Sequence, residues 1–152
     1  MDRLLPFAFF ILFPAMWIGI SLVLSRMGGW ARLAAHYPDA DDSGTTYRMR
    51  SGVVGGVNYK SCLNLRVCDR GLRMSITFPF RIGHAPIFIP WNQFHSISEK
   101  RLLFSRSIDT NIGMPVIANV TLPLWIRDYL PPDRAAILKD RLDSDAPDSS
   151  PP

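Results

Sequence analysis

Histidine and cysteine are scarce in this chain, which has three histidines and two cysteines among 152 residues. Four of these residues, Cys62, Cys68, His84 and His95, have no spacing typical of a zinc site. The sequence also lacks the G-x-S-x-G, H-E-x-x-H and P-loop motifs of common hydrolases, metalloproteases and nucleotide-binding enzymes. We therefore predict no catalytic residues, no metal and no cofactor, and a protein that is not an enzyme.

The two cysteines are predicted to be unpaired and inert. Cys62 and Cys68 lie on one predicted strand, which separates them by about 20 Å, whereas a disulfide requires Cα atoms within about 7 Å. Cys68 could be activated by Arg73, but the sequence places no histidine or carboxylate beside it. Unpaired thiols are typical of a reducing compartment.

Charge is absent from residues 4–24, which read LLPFAFFILFPAMWIGISLVL. A helix of this length spans about 31 Å, which matches the hydrocarbon core of a bilayer. A cleaved signal peptide is the alternative, but its apolar region is shorter and ends at small residues, whereas this one ends at Ser25-Arg26-Met27. We predict that residues 1–27 form a retained anchor with one transmembrane helix.

The charges that flank the anchor predict its orientation. Arg26 and Arg32 follow the apolar run, whereas Arg3 and the terminal amine precede it. The positive-inside rule therefore favours a cytoplasmic C-terminal domain. The unpaired cysteines favour the same side of a cell membrane.

Residues 28–46 are predicted to connect the anchor to a soluble domain. The segment 30–37 reads WARLAAHY, in which three apolar residues beginning with Trp30 share one helical face. This segment forms either two turns at the membrane surface or a continuation of the anchor. Residues 38–46, PDADDSGTT, have the acidic composition of a linker, with proline and glycine.

Alternation of apolar and polar residues predicts a β-hairpin between residues 63 and 81. The apolar positions are Leu63, Leu65, Val67, Leu72, Met74, Ile76, Phe78 and Phe80. Turn chemistry at Asp69-Arg70-Gly71 joins the two strands. We predict that Leu65 lies opposite Ile76, which places one face in the core and leaves the other face wet and basic.

Further strands and a last helix complete the predicted domain. The strands are expected at residues 47–57, 86–89, 94–99, 102–108 and 115–122. Their spacing of about ten residues suggests an antiparallel sandwich or barrel. Pro131-Pro132-Asp133 precedes RAAILKDRLD and has the features of a helix start. We therefore predict a mainly β domain with a C-terminal helix over residues 47–143, and a disordered tail over residues 144–152.

Three stretches of the chain resemble small, uncharacterised bacterial membrane-anchored proteins with a pleckstrin-homology-like (PH-like) domain. They are L-x-L-x-V-x-x-x-G-L at residues 63–72, FRIGHAPIFIPW at residues 80–91 and GGWARLAAHY at residues 28–37. The resemblance implies a bent antiparallel sheet or barrel of about seven strands, closed by a C-terminal helix. It also implies a single-pass protein of the bacterial inner membrane, and it brings no known activity.

Positive charge is concentrated in residues 48–106, which contain ten basic and two acidic side chains, a net of +8. Anionic headgroups attract such cations by about 1 kcal/mol each at close range. In the predicted register Arg66, Arg73 and Arg81 project from the wet face, so they are the candidate headgroup-facing residues. The alternative is that these arginines only keep the domain soluble. Nucleic acid is not an expected partner, because no exposed aromatic stripe accompanies the cations.

Together these patterns predict a non-enzymatic, membrane-anchored β module. It docks on anionic headgroups of the lipid bilayer or binds an unidentified membrane protein. One alternative is an accessory subunit whose anchor packs against other membrane helices. Another is an enzyme of unrecognised type, which would show a pocket with convergent polar groups.

Overall fold

The chain folds as an apolar helix followed by a curled β domain. A computed structural model describes residues 4–144. Of the predicted tail at 144–152, Ser144 is the last residue of a helix and the rest lies outside the described residues. Within the described residues the helices are α1 (Leu4–Met27), α2 (Trp30–His36) and α3 (Pro132–Ser144). The strands are β1 (Gly44–Val54), β2 (Val57–Cys68), β3 (Gly71–Ile76), β4 (Ile87–Pro90), β5 (Phe94–Leu102), β6 (Ser105–Ile112) and β7 (Ala118–Pro123).

The seven strands form one antiparallel sheet in the order β4-β3-β2-β1-β7-β6-β5 across the described residues. The sheet curls into a half-barrel because β1 pairs with β2 along its length and reaches β7 only at Val53 and Val54. Register shifts near Arg50 bend β1, and Gly52 lies where an added Cβ would meet the Thr121 carbonyl oxygen at 2.8 Å. The predicted helix, seven-stranded bent sheet and C-terminal helix are confirmed.

α1 is long enough and apolar enough to cross a membrane. It has 24 residues, includes Pro14, and exposes most of its surface; its buried residues are Ser21 and Ser25. The uncharged run at residues 4–24 therefore lies within one helix, most of which projects away from the β domain.

α2 belongs to the core of the β domain. Gly29 has φ +74° and separates α2 from α1. Trp30 and Leu33 on α2 are fully buried among the strand residues of the core. The shared apolar face of this segment therefore covers the sheet. The segment forms a separate two-turn helix, so it does not continue α1, and its apolar face contacts the sheet.

The β2–β3 hairpin has the predicted faces but a different register. Leu63, not Leu65, lies opposite Ile76, because a two-residue turn joins the strands. Gly71 belongs to β3, where its missing Cβ lets the Ile89 carbonyl oxygen of β4 approach. β3 ends at residue 76, so the predicted core positions Phe78 and Phe80 fall in an exposed connection.

The C-terminal part closes the core as predicted. α3 packs against β5 and buries Leu138. Trp91 is buried in the core and donates its Nε1–H to the Cys68 carbonyl oxygen at 3.0 Å. The described core is therefore filled by side chains and offers no internal ligand chamber at this position.

Candidate functional site

Successive turns of an antiparallel sheet alternate between its two ends, and α1 meets the sheet at one of them. Gly28 lies beside Gly55 and Val57, and Gly29 lies beside Ala118. Three connections share this end, here called the proximal end: residues 55–56, 77–86 and 113–117. Two turns lie at the far ends of strands that reach the proximal end, and both positions are called distal here: residues 69–70 after β2 and residues 103–104 before β6.

The β3–β4 connection, residues 77–86, packs along α1. The rings of Trp17 and Phe80 have centroids 5.3 Å apart. The Ser25 hydroxyl donates a hydrogen bond to the Gly83 carbonyl oxygen. Because Gly83 has no side chain, its backbone also comes close to Leu22. The connection is therefore fixed to the helix over more than one turn.

An apolar groove of about 560 Å³ lies between this connection and α1. Its walls are Phe13, Pro14, Trp17, Ile18, Phe78, Pro79, Phe80 and Ile82. Phe78 is 80% exposed, and the neighbouring β6–β7 turn adds Met114, which is 79% exposed. The proximal end thus presents two apolar loops beside an apolar helix.

A buried polar cluster joins α2 and the β3–β4 connection to the sheet. The Trp30 Nε1–H donates to the Ala85 carbonyl oxygen at 2.8 Å, and the Tyr59 hydroxyl lies 3.0 Å from His84 Nε2. The second ring nitrogen of His84, Nδ1, lies 3.0 Å from the Ile82 carbonyl oxygen. These partners fit a neutral imidazole that donates from Nδ1 and accepts at Nε2. Burial lowers the pKa of His84 and raises the pKa of Tyr59 to about 12.

A cavity of about 230 Å³ adjoins this cluster and is lined by Ser21, Cys62 and His84, among others. Burial raises the pKa of the Cys62 thiol, so the thiol is protonated near neutral pH. No carboxylate lines the cavity among residues 4–144. The same residues contain no group of three or more histidine, cysteine or acidic side chains that could hold a metal ion. The arrangement suits a structural joint rather than nucleophilic chemistry.

Acidification is expected to weaken this joint. Burial lowers the His84 pKa below its usual value of 6.5, so below that pH the unfolded chain binds a proton that the folded chain does not. The stabilisation is therefore complete above about pH 6.5 and declines as the pH falls. Melting temperatures of the full chain in detergent micelles, at about pH 7.5 and about pH 5.5, measure the loss.

His84→Gln should reduce this pH dependence, because the amide keeps a donor and an acceptor without titrating. His36→Gln, which changes an exposed histidine on α2, is the matched control and should leave the dependence unchanged. An equal acid-induced decrease in both variants would contradict the role of His84.

The structure does not bring the three candidate arginines together. Arg66 and Arg73 lie opposite each other near the distal end. Arg73 donates Nε–H and Nη2–H to the two Asp39 carboxylate oxygens at 2.6 and 2.8 Å, and Arg66 Nε donates to Thr46 Oγ1 at 2.9 Å. The hydrogen bond that Arg73 donates lowers the pKa of the Asp39 carboxyl. Arg81 lies in the β3–β4 connection at the proximal end.

The acidic linker therefore neutralises part of the basic hairpin. Besides the pair between Asp39 and Arg73, Asp42 lies 3.4 Å from Arg70. The sequence signal for this contact was the acidic run in residues 38–46 preceding a basic hairpin. The apolar loops at the proximal end were not indicated by the sequence. Phe78 and Phe80 continue the alternating pattern of β3 and therefore look like buried strand residues.

These contacts define the candidate surfaces of the molecule. No protein-family model and no curated protein matches the chain. Two surfaces are candidates for function: the proximal end, which is apolar and packs against α1, and the distal turns at residues 69–70 and 103–104.

Proposed function

We propose that α1 spans a bilayer and that the β domain is held against the bilayer surface as a non-enzymatic docking module. The packing of the β3–β4 connection along α1 carries this proposal. Trp17 lies seven residues before Leu24, the last residue of the uncharged run, which corresponds to about 10 Å along the helix. Phe80, whose ring packs against Trp17 at an angle of 51°, would lie at that depth below the surface, as interfacial apolar side chains do.

The exposed apolar side chains of the proximal end support this placement. Phe78 and Met114 are largely exposed in the protein, and Val116 is exposed beside Met114. Transfer of such a side chain from water to an apolar environment contributes about 1.5–3 kcal/mol when burial is complete. Acyl chains around α1 would provide that environment for both loops.

Cations at the same end would meet the headgroups. Arg81 follows Phe80 and is exposed, as are Arg26 at the end of α1 and Arg32 on α2. Long cationic side chains extend from an apolar layer towards its polar boundary. We therefore assign the headgroup contact to Arg81 with these two residues, and not to Arg66 and Arg73.

We further propose that the domain is PH-like and faces the cytoplasm from the bacterial inner membrane, in a single-pass protein. The strand order, the curled sheet and α3 support a PH-like domain. The position of Arg26 and Arg32 beside the domain supports the cytoplasmic side through the positive-inside rule. The bacterial inner membrane follows from the sequence resemblance.

Fluorescence of a probe on the proximal loop tests the docking. We expect a nitrobenzoxadiazole label on Phe80→Cys, in a full chain with Cys62→Ser and Cys68→Ala, to be quenched by spin-labelled lipid in proteoliposomes. The quenching should be strongest when the nitroxide lies on the upper acyl chain, because the expected depth is about 10 Å. The same label on Phe104→Cys at the distal end is the matched control and should remain unquenched.

Equal quenching at both positions would show that the domain has no preferred end towards the bilayer. Absence of quenching at both positions would show that the loop does not enter the lipid. In that case α1 would present its groove to another membrane helix, as expected of an accessory subunit.

A further inference from the structure

The β5–β6 turn places two large apolar side chains at the distal end of the sheet. Leu103 is 93% exposed and Phe104 is 97% exposed, the highest values among large apolar residues in the described range. Single apolar residues are common on protein surfaces, but an adjacent pair of fully exposed large apolar side chains forms a contiguous apolar patch of the kind that marks an interaction site. From Ile112 near α2 to Ser105 at the turn, β6 extends about 24 Å, so this pair lies far from the proximal loops.

Three cations surround the exposed pair. Arg101 of β5 lies directly opposite Arg106 of β6 in the strand register, and Lys100 lies opposite Ser107. The ion pairs found in residues 4–144 engage other arginines: Arg70, Arg73, Arg127 and Arg134. The cations of the turn therefore have no carboxylate partner among the described residues, in contrast with the arginines of the β2–β3 hairpin.

A groove of about 470 Å³ begins at the base of this turn. It lies where β1 diverges from β7, and Arg50 of β1 and Arg106 of β6 line it from different strands. The Arg50 guanidinium lies 6.0 Å from the Trp125 ring centroid, which holds it at the groove. No acidic side chain lines this groove in the described part of the chain.

The edge of β1 beside the groove also has backbone groups that no neighbouring strand pairs with. β1 pairs with β2 on one side, but on the other side it pairs with β7 only at Val53 and Val54. The exposed stretch from Met49 to Ser51 lines the groove without a strand partner on that side, whereas Gly52 is buried against the Thr121 carbonyl oxygen of β7. Such an edge accepts an extended segment of another protein by backbone hydrogen bonding.

We propose that the distal end is a docking site for an acidic protein segment that carries apolar side chains. Carboxylates of the segment pair with Arg50 and Arg106, and its apolar side chains contact Leu103 and Phe104. Charge complementarity selects this partner, because the groove and the turn combine unpaired cations with an apolar pair. A bare polyanion would use the cations and leave the apolar pair in water.

Binding of a defined peptide to the full chain tests the site. The protein is placed in nanodiscs of phosphatidylcholine, so that the bilayer carries no net charge. The probe is a fluorescein-labelled 12-residue peptide with alternating glutamate and leucine, and its fluorescence anisotropy reports binding. We expect saturable binding that weakens with rising salt. A peptide with lysine in place of glutamate and a 12-nucleotide oligothymidine should bind at least tenfold more weakly.

Two pairs of substitutions locate the contact. Arg50→Gln with Arg106→Gln, and separately Leu103→Ser with Phe104→Ser, should each weaken binding at least tenfold. All four residues are exposed, so the melting temperature should stay unchanged. The matched control, Arg66→Gln with Arg70→Gln, removes the same charge from the β2–β3 hairpin, away from both the groove and the headgroup contact, and should leave binding unchanged.

Three results would overturn the proposal. They are absence of peptide binding, equal weakening by the hairpin control, and binding of the oligothymidine as tight as that of the peptide. The last result would indicate a general polyanion surface instead of a protein site.

Discussion

Ile76→Asp is expected to unfold the β domain. Ile76 is 2% exposed and lies opposite Leu63 in the core. A carboxylate at this position would lose its hydration without gaining a partner, which costs several kcal/mol. The whole stability of a domain is about 5–15 kcal/mol. Near-ultraviolet circular dichroism of the detergent-solubilised full chain should show loss of tertiary structure.

Ser75→Asp is the matched control on the neighbouring residue. Ser75 lies on the outer face opposite Asn64, where a carboxylate keeps contact with water. This variant should change stability by no more than about 1 kcal/mol. Equal unfolding of both variants would show that the two faces of β3 are not distinguished by burial.

The faces of this hairpin could be predicted from the sequence, whereas its register could not. Alternation identified the buried positions of β2 and of β3 up to Ile76. It could not show that Gly71 belongs to the strand, because the reason lies in β4, whose Ile89 carbonyl oxygen fills the space of a side chain. It also could not show where β3 ends, since Phe78 and Phe80 continue the pattern on a surface that contacts α1.

Trp30→Ala is the second substitution with a large expected effect. Trp30 is fully buried, its ring packs against Tyr59 and His84, and its Nε1–H donates to Ala85. Loss of a buried tryptophan side chain costs about 3–5 kcal/mol. We expect the midpoint of chemical unfolding of the β domain to fall accordingly, measured on the full chain in micelles.

Trp17→Ala removes the same side chain from α1, outside the core of the domain, and serves as the control. It should leave the unfolding midpoint of the β domain nearly unchanged. A similar loss in both variants would contradict the assignment of α2 to the domain core. If α2 belongs to the domain core, the domain begins at Trp30. A chain that starts at residue 38 lacks Trp30 and Leu33 and should therefore not fold.

The two candidate surfaces could be predicted from the sequence to different degrees. The net charge of residues 48–106 indicated a basic domain, but pairing of Arg73 with Asp39 depends on how the linker crosses the sheet. The sequence predicted a strand starting at residue 102, which places the preceding turn on Lys100 and Arg101. In the structure this turn carries Leu103 and Phe104, because strand pairing extends through both cations.

The joint between α1 and the sheet has a mechanical consequence. The hydrogen bond from Ser25 to Gly83 and the packing of Trp17 against Phe80 connect α1 to the domain at two levels of the helix, so the two move as one body. A transmembrane helix tilts when the bilayer becomes thinner than its apolar length. A tilt of about 10° over the ~24 Å length of β6 displaces the far turn by about 4 Å. In a bilayer, lipid thickness would thus control the lateral position of Leu103 and Phe104.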